Sequence, residues 1–212
     1  MENINSKWIE ILTKKEIKVF VQKCADFINT NFEGKDVIVV CILKGASYFF
    51  VDLTRKLKVL HSTYFIEASS YKDTQTQSEN LEILSIINED KFRGKQVILL
   101  DELFDNGVTL YQVKQAIASQ ANIKLEDIFT CVAFRKKKKI DYPVPDLEGI
   151  IVPDVWLVGY GLDDNQKRRN LRSLYGCPKE EGLEHSKDDK MFEDEEIFKS
   201  WRNHVKEMSI TQ

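Results

Sequence analysis

The stretch Val97-Ile-Leu-Leu-Asp-Glu-Leu-Phe-Asp-Asn-Gly-Val-Thr109 is the most informative part of this sequence. Its first four residues are apolar, as in a strand that is covered on both faces. Acidic residues and a glycine follow, and the apolar spacing from Thr109 to Ser119 predicts a helix directly afterwards. Ligands of open α/β sheets bind where such a strand ends and a helix begins. The stretch therefore predicts a strand, a helix and a binding site between them.

The rest of the chain repeats this alternation of strands and helices. Thr13-Lys-Lys-Glu16 has the form of a capping box, and apolar residues follow at helical spacing as far as Gly34. We then predict strands and helices in this order: strand Val37–Leu43, helix from about Ala46 to Lys58, strands Ser62–Ala68, Leu81–Ile87 and Gln96–Leu100, helix Thr109–Ser119, and strands Ile128–Phe134, Leu147–Val152 and Val155–Tyr160. The polar stretch Ser69–Asn80 has no periodicity and is predicted to be a long mobile loop. This order indicates the α/β class, with an open, mostly parallel twisted sheet and helices on both faces.

Composition narrows the class of protein. The chain has 212 residues, of which 42% are hydrophobic and 31% charged, which is typical of one soluble globular domain. The formal net charge of -3 gives no global attraction to nucleic acid or to an anionic membrane. No apolar run approaches the roughly 18 residues of a membrane span, and the polar start does not resemble a signal peptide. We expect a cytoplasmic protein without nucleic-acid or membrane partners.

The cysteines and histidines do not form a metal-binding or catalytic pattern. The four cysteines show no Cys-x-x-Cys spacing, and three of them lie in apolar stretches, where reduced core thiols are expected. The three histidines form no His-Glu-x-x-His pattern. We therefore expect neither a zinc site nor cysteine chemistry.

The end of the chain differs from the rest. The segment Glu180–Glu196 is strongly acidic, and apolar residues then recur at helical spacing at Ile197, Phe198, Trp201, Val205 and Met208. We divide the chain into residues 1–179 and a second part, residues 180–212, made of an acidic segment and a C-terminal helix. That helix is expected to dock on the body of the protein or to form an oligomer contact.

The loop after Leu100 combines two features that conflict. Backbone N–H groups at a helix start, with close approach allowed by Gly107 and a hydroxyl from Thr109, suit a phosphate. The acids Asp101, Glu102 and Asp105 would repel a bare phosphate. A ligand that also carries hydroxyls, a metal or developing positive charge resolves the conflict. A sugar phosphate with a Mg²⁺-bound pyrophosphate has all three features. Neither Gly-x-Gly-x-x-Gly nor a P-loop is present, and the alternative is a solvated acidic loop ahead of an ordinary helix.

Four motifs in order resemble the type I phosphoribosyltransferase family, in its hypoxanthine-guanine branch. Asp101–Thr109 resembles the signature for phosphoribosyl pyrophosphate (PRPP), and Cys41–Leu53 resembles the pyrophosphate loop. Ser70-Tyr71-Lys-Asp is similar to the start of the family's flexible catalytic loop, and Pro153–Asp163 is similar to its purine-binding hood. The resemblance spans about residues 41 to 169. It implies the family fold with a small hood subdomain, formed by the N-terminal segment and about residues 140–179, within a phosphoribosyltransferase domain of residues 1–179.

The resemblance also implies the reaction and its acidic residues. Such enzymes join a purine to C1 of PRPP and release pyrophosphate, with Mg²⁺ as the cofactor. Asp101 and Glu102 would bind the ribose hydroxyls and the hydrated Mg²⁺, and Asp105 would be catalytic, taking a proton from the purine. The 5′-phosphate would be bound by the residues Asp105, Asn106, Gly107, Val108 and Thr109.

Pyrophosphate and the closing loop are assigned in the same way. Leu43, Lys44 and Gly45 would face the pyrophosphate, at a position where the family often has a cis peptide, and Arg169 would pair with its oxygens. Asp163 would bind a second Mg²⁺ through water. The flexible-loop residues Ser70 and Tyr71 would close over the reacting centre and exclude water.

The purine would lie flat against Trp156, with its edge read by the backbone of Leu157 and Asp163. A lysine of the family binds the purine oxo group at the end of the preceding strand, where this chain has Arg135-Lys-Lys-Lys-Lys139. Counting back without gaps from Pro145-Asp146 selects Arg135, and Lys136 takes this position if the register slips by one. Without the resemblance, this run of charge is a solvated loop or, less well supported, a nucleic-acid patch.

Departures from the family pattern leave alternatives open. Asn106 stands where Thr is usual and Val108 where Lys is common, which weakens the expected phosphate site. Asp164 replaces a common aromatic residue, as in guanine-preferring members, and suggests a guanine preference. A xanthine-using enzyme, a nucleotide-binding regulator without turnover, and an orotate or adenine enzyme are the other hypotheses. By analogy with the family, we expect a homodimer or homotetramer.

Overall fold

The structure, a computed structural model, describes residues 7–72 and 79–178, with only the backbone described for residues 69–72 and 79–81. Its strands and helices in chain order are β1 (Ile9–Leu12), α1 (Lys14–Asn31), β2 (Val37–Leu43), α2 (Ser47–Thr54), β3 (His61–Lys72), β4 (Glu79–Ile83), β5 (Gln96–Phe104), α3 (Val108–Gln120), β6 (Ile128–Lys136), β7 (Leu147–Val152), β8 (Trp156–Val158) and β9 (Leu174–Cys177). No helix of the described ranges is long and apolar enough to span a membrane.

The main sheet has six strands in the order β4-β3-β2-β5-β6-β7. Strand β2 pairs in parallel with both β3 and β5, and β6 pairs in parallel with β5 and β7. Only β4 is antiparallel to its neighbour. The predicted open, mostly parallel sheet is therefore confirmed.

Both faces of this sheet are covered by helices. Along β2, Val37, Val39 and Cys41 belong to one apolar cluster, which includes α1 and α2. The intervening residues Ile38, Val40 and Ile42 belong to a second cluster with α3. Because successive strand residues point to opposite faces, this division confirms the predicted helices on both sides. All four cysteines are buried and free, and burial raises the pKa of Cys41 to about 12, as expected for a core thiol.

Helix α1 begins with the predicted capping box. The backbone N–H of Glu16 donates to Thr13 Oγ1 at 3.3 Å, and the backbone N–H of Thr13 donates to Glu16 Oε2 at 2.7 Å. The two bonds satisfy donors that a helix start otherwise leaves unpaired. They fix the direction in which α1 leaves β1.

A second, smaller sheet forms what we call the hood sheet, with the antiparallel order β1-β9-β8. Strands β1 and β9 were not predicted, because segments of four residues are too short to show a clear period. The predicted strand Val155–Tyr160 is shorter in the structure. It ends at Val158, since Gly159 and Tyr160 have φ angles of 100° and 47°, which turn the chain away from the sheet.

Two other predicted segments are corrected. The ends of the expected mobile loop Ser69–Asn80 are strand, because β3 and β4 pair from Ala68↔Ile83 to Lys72↔Glu79. Backbone pairing in such a polar ladder leaves no apolar pattern in the sequence. The strand expected at Leu81–Ile87 begins and ends earlier, as β4, and α2 stops four residues before Lys58, at Thr54.

The remaining predictions fall outside the described residues. The acidic segment Glu180–Glu196 and the C-terminal helix lie beyond residue 178, as does the second part of the domain division. These stay predictions. The middle of the catalytic-loop region, residues 73–78, is also outside the described ranges.

Candidate active site

The carboxyl ends of three neighbouring strands bring the predicted site residues to one edge of the main sheet. Strand β2 ends at Leu43, β5 at Phe104 and β6 at Lys136, and the register pairs Leu103 with Phe134. The loops that follow β2 and β5 lead directly into α2 and α3. This is the edge at which open α/β sheets bind ligands.

The first feature of the site is the acid pair, Asp101 and Glu102. The side chain of Asp101 is 6% exposed, and its Oδ1 accepts the backbone N–H of Glu102 at 2.9 Å. Burial, followed by the charge of Glu102, raises the pKa of Asp101 well above its ordinary value. Burial also raises the pKa of Glu102, although the charge of Arg169 opposes this shift. The pair therefore binds protons more tightly than ordinary carboxyls do, and a cation that replaced those protons would stabilise the ionised form.

Glycines pack tightly against the acid pair. A side-chain carbon on Gly45 would lie 1.7 Å from Glu102 Oε1, and one on Gly161 would lie 2.0 Å from the carbonyl oxygen of Gly45. Gly161 also has a φ of 104°, which side-chain-bearing residues rarely adopt. The loop after β2, the acid pair and the loop after β8 thus meet at one point.

The loop between β5 and α3 encloses a small cavity. Gly107 has a φ of 85° and precedes α3, which has no side-chain cap at that position. The backbone N–H of Val108 donates to Asn106 Oδ1 at 3.1 Å. A cavity of about 60 Å³ is lined by Asp101, Leu103, Phe104, Asp105, Asn106, Gly107, Thr109 and Leu110. A helix start beside a small cavity suits an anionic group.

The pyrophosphate-loop candidates lie at the end of β2. The Leu43–Lys44 peptide is cis, at the position where the family resemblance implies one. The exposed Lys44 Nζ is 3.9 Å from a carboxylate oxygen of Glu67, and the Lys44 carbonyl accepts the Ser47 hydroxyl at 2.7 Å. Gly45 is buried against Glu102. The backbone of this loop therefore lies against the acid pair, while the Lys44 side chain reaches towards Glu67.

Asp163 and Arg169 form an ion pair next to this point. Arg169 Nη2 lies 2.8 Å from Asp163 Oδ1, and Arg169 Nη1 donates to the Gly161 carbonyl at 2.8 Å. The second Asp163 oxygen accepts the backbone N–H of Gln166 at 2.8 Å. The charges of both side chains influence the Glu102 carboxyl. Arg169 is thus placed near the acid pair, with Asp163 holding its guanidinium.

Asp105 has surroundings opposite to those of the acid pair. Lys136 Nζ lies 3.1 Å from Asp105 Oδ2, and Lys138 contacts the other carboxylate oxygen. Burial disfavours the ionised form, but the charges of Lys136 and Lys138 outweigh it and lower the pKa of Asp105. Burial disfavours the charge of Lys138 as well, and the contact with Asp105 overcomes this and raises the pKa of that lysine. Asp105 is therefore held ionised, with oxygens able to accept a proton.

The two candidates for the purine oxo group, Arg135 and Lys136, have different partners. Arg135 Nη1 lies 2.9 Å and 2.8 Å from the two carboxylate oxygens of Glu148, on the neighbouring strand β7. Lys136 reaches Asp105, because adjacent strand residues project to opposite faces. Of the two candidates, Lys136 is therefore the one that contacts Asp105.

The purine-wall candidates begin directly after Asp154. Trp156 is 51% exposed, which is unusual for so large an apolar ring, while Leu157 is only 5% exposed. Lys136 Nζ is 3.3 Å from Asp154 Oδ1, so this lysine bridges Asp105 and the segment that carries Trp156. The ring of Trp156 is thus exposed, and Lys136 links the segment that carries it to Asp105.

The predicted loop residues Ser70 and Tyr71 lie near the end of β3. Their backbones pair with Leu81 and Asn80 of β4. Strand β3 is parallel to β2 and extends beyond its end, since Leu43 pairs with Glu67. The two residues therefore lie beyond the end of β2, at the same edge of the sheet as the other candidates.

Sequence reasoning did not single out Lys138 or Asp154. Lys138 belongs to a uniform run of lysines and lies two residues beyond the end of β6, where the chain has left the strand. Asp154 lies within the hood motif, and its contacts with Lys136 and Lys138 come from packing between loops. Neither contact has a signal in the local sequence.

The acid pair has the donor chemistry of a Mg²⁺ site. Mg²⁺ keeps several waters and is usually bound by one or two carboxylates together with substrate phosphates. Asp101 and Glu102 supply such carboxylates. Within residues 7–72 and 79–178 no larger group of metal-ligating side chains is found. The donors fit a metal that arrives with a phosphorylated substrate.

Comparison with known proteins gives a consistent result. The family described as phosphoribosyl transferase domain matches residues 7–165. The hypoxanthine-guanine phosphoribosyltransferase of Aquifex aeolicus is 34% identical, with 82% of this chain and 98% of that protein covered. The hypoxanthine phosphoribosyltransferase of Escherichia coli is 31% identical, with 76% and 90% covered. A solved structure of a hypoxanthine-guanine phosphoribosyltransferase from Bacillus anthracis has a TM-score of 0.70, at 27% identity and with 78% and 96% covered. This chain belongs to the phosphoribosyl transferase domain family.

Proposed function

We propose that this chain is a purine salvage enzyme, which transfers the 5-phosphoribosyl group of PRPP to hypoxanthine and guanine. The products are IMP or GMP and pyrophosphate. The observation that carries the proposal is the pairing of two kinds of carboxylate around one small cavity. Asp101 and Glu102 lack a nearby lysine partner among the described residues, whereas Asp105 is held by two lysines. PRPP with Mg²⁺ supplies the charge that the first pair needs, and a purine supplies the proton for the second.

PRPP is proposed to bind along the edge formed by the ends of β2 and β5. Asp101 and Glu102 would accept hydrogen bonds from the ribose hydroxyls and ligate Mg²⁺, which would neutralise charge on the leaving pyrophosphate. The 5′-phosphate would enter the cavity at the start of α3, lined by Asp105, Asn106, Gly107 and Thr109, with Val108 beside it. Val108 brings no side-chain donor, so backbone N–H groups would carry most of this binding.

The pyrophosphate is proposed to face Lys44, Gly45 and Arg169. The exposed ammonium of Lys44 can swing from Glu67 to a phosphate oxygen, because its present contact is long, at 3.9 Å. Arg169 already lies beside the acid pair, with Asp163 fixing its orientation and offering a carboxylate for a second, water-bridged Mg²⁺. The backbone at Leu43 would complete this wall, and Ser70 and Tyr71 would close the open side of the site.

The purine is proposed to stack on the exposed face of Trp156. Asp105 would accept the proton that the ring nitrogen loses as the bond to C1 forms, and its lowered pKa keeps it ready as a carboxylate. Lys136 would donate to the oxo group of the purine and replaces Arg135 in this role. The backbone of Leu157 and Asp163 would read the remaining purine edge.

Asp164, the residue that suggests a preference for guanine, has an ion-pair partner in the protein. Asp164 pairs with Arg168, whose Nε lies 3.3 Å from Asp164 Oδ2, and Arg168 in turn stacks over the ring of Trp8 at 5.0 Å. Because Asp164 has this partner in the protein, we do not assign it to the exocyclic amino group of guanine. We therefore propose that hypoxanthine and guanine are used at comparable rates.

The test is a direct assay of the purified full chain with Mg²⁺, PRPP and one base at a time. Nucleotide formation is followed by absorbance with hypoxanthine, guanine, xanthine, adenine and orotate. We expect product with hypoxanthine and guanine. Product with xanthine alone would replace the proposed substrates, and product with none of the bases would favour a nucleotide-binding regulator.

The partners and location are proposed on the same basis. PRPP and the purine base are the small-molecule partners, and the enzyme is proposed to work in the cytoplasm without nucleic acid. A homodimer or homotetramer stays a prediction, which the mass of the purified chain in solution tests.

A further inference from the structure

A separate cavity lies between α1, α2 and the segment that joins β8 to β9. Its volume is about 590 Å³, which is within the usual range for small-molecule sites, roughly 300–1,000 Å³. Its lining residues are Lys14, Ile17, Lys18, Val21, Tyr48, Asp52, Arg55, Lys56, Tyr160, Asn170 and Arg172. None of these residues belongs to the candidate active site.

The cavity is strongly cationic, although the whole chain has a formal net charge of -3. Its rim carries the five cations Lys14, Lys18, Arg55, Lys56 and Arg172, against the single carboxylate of Asp52. In the part of the chain that the structure describes, none of the five forms a salt bridge. Lys56 has only a neutral partner, Gln22, at 2.9 Å. Five cations gathered in one cleft with a single carboxylate create a positive potential that attracts anions.

The floor of the cavity is apolar and aromatic. Ile17, Val21 and Tyr160 are 2%, 1% and 5% exposed, and Tyr48 lies at the edge with 38% exposed. The Tyr160 hydroxyl donates to Asp52 Oδ2 at 3.0 Å. Burial, followed by the charge of Asp52, raises the pKa of Tyr160, so this hydroxyl stays protonated and the wall keeps its shape. The one carboxylate of the cavity is therefore partly engaged by a neutral group.

We propose that this cavity binds an organic polyphosphate, a small molecule with an aromatic ring and two or more phosphate groups. The aromatic part would lie on the floor at Tyr48 and Tyr160. The phosphates would lie between Lys18 of α1, Arg55 of α2 and Arg172 ahead of β9, which approach from three different elements. Arginine and lysine together supply both the forked and the point-charge donors that phosphates accept.

The charge and the concave shape of the cavity favour a small anionic ligand.

The test uses ATP as the probe, titrated calorimetrically into the full chain in low salt and in the presence of saturating IMP. IMP is added to occupy the candidate active site. We expect one ATP to bind per chain. The double variant Lys18→Gln/Arg55→Gln should weaken ATP binding by about 10-fold or more, as expected for the loss of two charged hydrogen-bond donors.

The matched control is the double variant Lys15→Gln/Lys58→Gln. Both residues are exposed and removing them takes away the same charge, but neither lines the cavity. ATP affinity of this control should stay within about 2-fold of the wild type. Equal weakening by both double variants, or no ATP binding by the wild type, would overturn the proposal. Thermal melts of each variant establish that it is folded, and the measurement does not depend on enzyme turnover, so it stands apart from the proposed reaction.

Discussion

The acid pair and Asp105 lie close together in the sequence, yet their surroundings are opposite. Asp101 and Glu102 are acids beside each other in an enclosed space, and burial raises the pKa of both carboxyls. Asp105 is also partly enclosed, but Lys136 and Lys138 lower its pKa in spite of burial. The difference lies in what reaches each position from other strands and loops. The end of β6 and the residues after it bring two lysines to Asp105, whereas the loops beside the acid pair bring glycines and one arginine, which is itself paired with Asp163.

This difference separates two chemical tasks within one loop. A carboxylate pair without its own counter-charge is suited to a cation that arrives with the substrate. A carboxylate that the protein itself keeps ionised is suited to accept a proton during the reaction. If the acid pair binds the metal and Asp105 accepts the proton, substitutions at the acid pair and at Asp105 should affect different steps of the reaction.

The largest effect is expected from Asp105→Ala. The variant loses the group that takes the purine proton, so kcat should fall by roughly 10²-fold or more, which is the scale of general acid–base assistance. The KM for PRPP should change little, because the acid pair is intact. Steady-state kinetics with hypoxanthine and guanine measure both parameters. Turnover that survives this change would remove Asp105 from the proposed mechanism.

The next effect in size is expected from Lys136→Gln. A hydrogen bond from a charged donor contributes about 1.5–3 kcal/mol, so the KM for the purine should rise about 10-fold or more. Arg135→Gln breaks only the pair with Glu148 and should leave the KM for the purine within about 2-fold. Lys137→Gln serves as an exposed control. If Arg135→Gln had the larger effect on purine binding, the assignment of Lys136 to the purine oxo group would be wrong.

The smallest effect is expected from Lys138→Gln, and it concerns pH. The two lysines hold the Asp105 pKa below its ordinary value, so removing one should raise that pKa. A protonated Asp105 cannot accept the purine proton, so the acidic limb of the kcat profile should move to higher pH. Near neutral pH, kcat should change only slightly. The same profile for Lys137→Gln should match the wild type, and a shift common to both variants would point to a general charge effect.

Much of the fold was predictable because its strands are apolar runs. Val37–Leu43 was predicted with its exact bounds, and the start of β5 at Gln96 was also correct. Strands β1 and β9 were missed, since each is held by pairing with distant segments of chain and not by a local pattern. The ends of Ser69–Asn80, which pair in β3 and β4, were predicted to be loop because these polar residues show no apolar period.

The site residues likewise divide into those with a local sequence pattern and those placed by contacts between distant segments. The acids and glycine of Asp101–Thr109 could be picked out because they are contiguous in sequence. The choice between Arg135 and Lys136 could not be settled by counting, because it depends on which face of β6 each residue occupies and on Glu148 of β7. The contact of Gly161 with Gly45 likewise joins loops that are far apart in the chain.

The most direct test of the division between the acid pair and Asp105 is calorimetric titration of Mg²⁺-PRPP into three proteins. These are the wild type, the double variant Asp101→Asn/Glu102→Gln, and Asp105→Asn. We predict that the double variant binds Mg²⁺-PRPP at least about 10-fold more weakly, whereas Asp105→Asn stays within about 3-fold of the wild type. Normal binding by the double variant, together with lost binding by Asp105→Asn, would contradict the account.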